Sequence, residues 1–112
     1  MWLVWLFACT GTEVGESAET GPCADAPVVT YETFGAGFLR ENCQSCHAAT
    51  SPDRKDAPED VVFDTVDQVW AISDRILARA AIDEPTMPPL GGTTADDRAR
   101  LEIWLTCADS GT

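Results

Sequence analysis

An all-α domain is what this sequence predicts, and three features predict it. Three stretches carry apolar residues at helical spacing behind a threonine able to cap a helix N-terminus. No run of convincing length alternates polar and apolar residues, Val61 to Phe63 being the one strand-like fragment. The stretches between the helices, AATSPDRKDAPEDVVFD and EPTMPPLGG, are rich in Pro, Gly and charge, as loops are. Loops this long in so small a domain are expected only where they wrap something.

The first helix is expected from Thr30 to about Cys43, TYETFGAGFLRENC, with Thr30 as N-cap backed by Thr33. Phe34 and Phe38, with Leu39 beside them, share one face. Gly35 and Gly37 each cost a helix about 1 kcal/mol relative to Ala. A close crossing, in which glycine admits another backbone, is the simplest reason to keep them.

A second helix starts at a capping box, Thr65-Val66-Asp67-Gln68. Val66, Val69, Trp70, Ile76, Leu77 and Ala80 recur at helical spacing as far as Asp83, and Pro85 stops it. The third runs from Thr94 as N-cap through ADDRARLEIWLTC, with Asp96 and Asp97 in its first turn and Leu101, Trp104 and Leu105 on one face, ending by Gly111. There are no internal repeats.

The chain has 112 residues, enough for one small domain. Such a domain buries only ~60 to 65% of the surface its unfolded chain exposes, so a staple or a cofactor is expected. Nineteen acidic residues against seven basic ones give a net charge of -12, which excludes nucleic acid as a partner and disfavours anionic membranes. A partner with a basic docking face fits that charge, and the same acidity keeps a protein soluble. Five cysteines in so short a chain point to an oxidising compartment or to a bound cofactor.

Residues 1–8, MWLVWLFA, are apolar throughout and too short to span a bilayer, for which about 20 residues are needed. Leu6-Phe7-Ala8-Cys9 resembles the lipobox of bacterial lipoproteins, in which the cysteine is diacylated and becomes the mature N-terminus. Residues 1–8 are therefore expected to be a signal segment and Cys9 a lipidation site. Residues 9–22 are small, polar and acidic, the composition of a flexible tether, and residues 23–112 form the folded domain. This implies export to the periplasmic side of a bacterial membrane, with a lipid anchor rather than a transmembrane helix.

His47, the one histidine, lies in NCQSCHAAT directly after Cys43-Gln44-Ser45-Cys46. A thioredoxin-like redox pair needs a βαβ setting with its first cysteine at a helix N-terminus, whereas this pair falls at the end of the first expected helix. A structural zinc site needs four ligands, and the other cysteines are scattered singly with no second histidine. Covalent haem attachment uses the pattern Cys-x-x-Cys-His. The spacer lets Cys43 and Cys46 reach neighbouring vinyl groups, and His47 then supplies an imidazole to the iron. Of two methionines, Met1 belongs to the signal segment, which leaves Met87 as the expected sixth ligand. It stands in Thr86-Met87-Pro88-Pro89, where prolines stiffen the loop at low entropic cost.

From about Thr30 to Cys107 the chain resembles the class I (monohaem) c-type cytochromes. Gly35, Leu39 and Cys43 stand four apart, as do that family's first-helix glycine, a large apolar residue and its first haem cysteine. Leu101, Trp104 and Leu105 fit its C-terminal helix, and Met87-Pro88-Pro89 resembles the Met-Pro-Pro loop of many bacterial members.

The resemblance implies three or more helices wrapped around one covalent haem c, with His47 proximal, Met87 distal and a role in electron transfer. It also implies a backbone carbonyl accepting from the other ring nitrogen of His47, with Pro58 the first choice and Pro52 the rival. If the first and last helices cross as in that family, the remaining cysteines meet in a Cys23–Cys107 disulfide. Trp70 and Trp104 are expected in the core or against the haem. Arg54, Lys55, Arg75 and Arg79 include partners for the two propionates.

The expected function is the carriage of single electrons between membrane-associated redox partners, without catalysis. The alternative is a haem-based sensor or catalytic haem domain in which Met87 is displaceable.

Overall fold

A computed structural model describes residues 23–112. The expected signal segment, tether and lipidated Cys9 lie outside the described residues. Among those described the chain is helical, with no β-strand. A π-helical turn, Tyr31–Gly35, runs directly into α1 (Ala36–Asn42), followed by α2 (Gln44–His47), α3 (Val66–Ala71), α4 (Ser73–Ala80) and α5 (Ala95–Cys107).

Three elements, the π-turn, α3 and α5, begin where a threonine captures a free amide. Thr30 and Thr33 form a reciprocal box, with the Thr33 amide donating to Thr30 Oγ1 at 3.2 Å and the Thr30 amide to Thr33 Oγ1 at 3.0 Å. Thr65 and Gln68 do the same ahead of α3. Thr94 Oγ1 accepts from the Asp97 amide at 3.0 Å ahead of α5. The first turn is wider than the α-helix expected there: Phe34 and Gly35 amides both donate to the Thr30 carbonyl. Gly35 at the end of the turn and Gly37 just beyond it weaken the preference for tight winding, so the wider turn is tolerated.

The second expected helix is two. Its ladder breaks at Ile72, whose φ of -127° and ψ of 30° leave the α region. The Ile72 amide is drawn back to the Val69 carbonyl at 3.2 Å, and Ser73 and Asp74 open a new helix. That helix also ends at Ala80 rather than Asp83. The amides of Thr86 and Met87 donate to the Arg79 carbonyl at 2.9 and 3.0 Å, so the chain folds back across the helix end instead of prolonging it.

Trp104 is the centre of the core and is wholly buried. The rings of Tyr31, Phe34 and Trp70 surround it at centroid distances of 6.2, 6.5 and 6.2 Å. Helix α5 presents Leu101, Trp104 and Leu105 inward and packs on the π-turn and on α4. Gly35 does permit a close approach, but of the Trp104 indole rather than of a second backbone. Gly37 has no comparable packing: a β-carbon there would meet only the Arg40 guanidinium, at 3.8 Å.

Cys23, just ahead of the π-turn, is disulfide-bonded to Cys107 at the end of α5, with a Cα–Cα distance of 5.4 Å. Among the described residues no helix is long and apolar enough to cross a membrane.

Candidate functional site

Helix α1 closes when the Cys43 amide donates to the Leu39 carbonyl at 2.8 Å. Cys43 then leaves the helical path, with φ at -125°, and its own carbonyl accepts from Cys46 and His47 amides at 3.1 and 2.9 Å. The motif is thus not the tail of the first helix but a separate helical turn, α2. Four residues cannot hold a helix in water alone.

The loop that follows supplies the support. Val61 and Phe63 are buried while Val62 between them is half-exposed, and the segment runs back along α2. The Phe63 amide donates to the His47 carbonyl at 3.1 Å, and Gln44 Nε2 donates to the Phe63 carbonyl at 2.7 Å. The Ala49 amide donates to the Asp64 carboxylate at 3.2 Å. The Phe63 ring lies 4.8 Å from the imidazole, centroid to centroid.

His47 is oriented by these neighbours. Its Nδ1 stands 3.0 Å from the Val61 carbonyl oxygen, which requires the proton on Nδ1. The carbonyl is therefore that of Val61, not of Pro58 or Pro52. The Pro58 carbonyl is occupied by the Val61 amide at 3.0 Å and by Arg54 Nη2 at 2.7 Å. Nε2 has no hydrogen-bond partner among the described residues.

Cys43 and Cys46 are free thiols, both half-buried. Burial, and secondarily the nearby Cys46, push the Cys43 thiol up to about 12. A redox-active cysteine needs the opposite, a thiol that ionises near neutral pH. Among the described residues no group of three or more His, Cys, Asp or Glu side chains could hold a metal ion, which a structural zinc site would require.

Met87 lies apart from α2 in sequence, on the loop pinned to Arg79, with 37% of its surface exposed. Leu90 on the same loop is fully exposed and Ile82 is 44% exposed. Gly91 and Gly92, with φ of 73° and 101°, carry the loop through the left-handed region into the Thr94 cap.

The expected carboxylate partners are used differently from one another. Arg54 turns its guanidinium inward onto three backbone carbonyls, Lys55 pairs with Asp53 on the surface at 2.8 Å, and Arg75 and Arg79 are exposed. Arg54 Nε and Trp70 Nε1 are buried donors with no acceptor among the described residues.

The residues would fit a covalently attached haem: one free thiol precedes the turn, a second lies within it, and the turn ends in an imidazole whose Nε2 has no partner among the described residues. Sequence inspection missed Val61, Phe63, Gln44 and the inward turn of Arg54. The short apolar run Val61-Val62-Phe63, between charged residues, was the one available signal of a buried segment. No protein-family model matches the chain, and no curated protein or solved structure proves similar to it.

Proposed function

We propose that this chain is an exported, lipid-anchored monohaem c-type cytochrome of the class I type, carrying single electrons between membrane-associated redox proteins. The observation that carries the reading is the setting of His47: Nδ1 is engaged by the Val61 carbonyl and Nε2 has no partner among the described residues, on the turn that follows Cys43 and contains Cys46. Bound haem c supplies a one-electron ferric/ferrous couple, and methionine ligation favours the ferrous form. Cys43 and Cys46 would hold the ring through their sulfurs, His47 and Met87 would be the iron ligands, and the Val61–Phe63 segment keeps the imidazole from rotating. The acidic surface suits a partner with a basic docking face.

Haem staining of a denaturing gel tests the attachment, since covalent haem survives denaturation. A peroxidase-active band that disappears in Cys43→Ser/Cys46→Ser is the expected result; an unstained band in exported protein refutes the reading. A second reading is favoured by the exposure of Met87: a haem sensor or catalytic haem domain in which that residue leaves the iron. A sulfur-to-iron charge-transfer band in the oxidised protein, with no carbon monoxide uptake by the reduced form at neutral pH, decides for the electron carrier.

A further inference from the structure

We infer that Arg54 is a positioning residue for His47, acting through the Val61 carbonyl that the two side chains share. The inference rests on the haem reading above. Arg54 Nη2 donates to the Val61 oxygen at 3.1 Å, and His47 Nδ1 to the same oxygen at 3.0 Å. One carbonyl oxygen has two acceptor positions, and both are filled. The rest of the guanidinium fixes the surroundings: Nη1 donates to the Ala48 carbonyl at 2.9 Å and Nη2 to the Pro58 carbonyl at 2.7 Å.

One planar fork therefore ties together three points of the chain. Ala48 follows the axial histidine directly, Val61 supplies the acceptor of its ring, and Pro58 belongs to the loop between them. Lysine has the charge but not the fixed fork, so it cannot hold three carbonyls in this arrangement.

Two physical effects act in the same direction on the iron. A carbonyl already accepting from a guanidinium accepts less strongly from Nδ1–H, so the imidazole keeps less anionic character and donates less charge through Nε2. A fixed cation one carbonyl away from the ring also opposes the additional positive charge of the ferric state. Arg54 thus favours the ferrous form.

The test uses the holoprotein with Arg54→Gln, Arg54→Lys and, as a control on an exposed charge, Arg100→Gln. Arg54→Gln is expected to shift the redox equilibrium about tenfold toward ferric, a fall of about 59 mV for a one-electron couple. Arg54→Lys recovers part of that shift, and Arg100→Gln leaves the potential in place. The His47 Nδ1 proton in the reduced protein reports the geometry, its solvent exchange quickening about tenfold in Arg54→Gln. Haem bound covalently, with wild-type potential and exchange in Arg54→Gln, overturns the inference alone. Absence of covalent haem from the wild type overturns the cytochrome reading and this inference with it. Should Arg54→Gln fail to fold, a scalar coupling from Arg54 Nη to the Val61 carbonyl carbon in the wild type supports the shared carbonyl, and its absence overturns it.

Discussion

The indole of Trp104 lies across the α-carbon of Gly35, so close that a β-carbon at residue 35 would fall 2.5 Å from Cη2 and 2.7 Å from Cζ2. The contact joins the π-turn to α5 at the centre of the core. Trp104 is wholly buried, so the ring cannot retreat without displacing its neighbours. Gly35→Ala should lower the unfolding free energy by about 3 kcal/mol, the upper range for overpacking. Urea denaturation monitored by tryptophan fluorescence measures it.

Gly37 provides the opposite case on the same helix. A β-carbon there meets only the flexible end of Arg40, at 3.8 Å, and the residue is helical. Gly37→Ala should stabilise by roughly 0.5 to 1 kcal/mol through reduced freedom of the unfolded chain. The two alanine variants, run side by side in thermal denaturation, should move the midpoint in opposite directions.

The Cys23–Cys107 link closes a separation of 84 residues. Loop closure of that length constrains the unfolded chain by about 4 kcal/mol. Cys23→Ser/Cys107→Ser should lose stability on that scale in denaturant melts. In the non-reduced wild type neither cysteine should take up a thiol label.

Cys43 offers a chemical test of the haem-free chain. With its thiol pushed up to about 12, only about 1 in 10⁴ of it is thiolate at pH 8. Iodoacetamide should label it very slowly in folded, disulfide-intact protein and far faster in urea, as mass spectrometry of the labelled peptides would reveal. A thioredoxin-like pair would react fastest when folded.

Met87 is partly exposed and its loop is held by backbone amides to the Arg79 carbonyl, bonds that do not involve the thioether. Met87→Ala should therefore change unfolding free energy by less than about 1 kcal/mol. In the holoprotein it should abolish the sulfur-to-iron band, lower the potential and admit carbon monoxide.

Local chemistry made the helix starts legible. Thr30, Thr65 with Gln68, and Thr94 are caps that act over three residues, and the same short range makes Cys43-x-x-Cys46-His47 readable. What the sequence could not disclose depends on the path of a loop. The Val61 carbonyl reaches the imidazole because the chain between them doubles back and Arg54 ties it there, and no residue type marks which backbone carbonyl will arrive. The expectation of Pro58 failed by three residues for that reason. The break at Ile72 escaped notice because the apolar spacing continues across it, with Val69, Ile76 and Ala80 all buried.

The four-residue turn α2 has a consequence for the order in which this molecule is made. Its bonds to the loop that follows come from Ser51, from the Arg54 fork and from residues 61 to 64. A growing chain in which that stretch has not yet been made presents Cys43 to His47 as a slack pentapeptide. Under the proposed function, haem attachment at that stage would meet a pliable substrate, and the later arrival of Val61 and Phe63 would lock the imidazole in place.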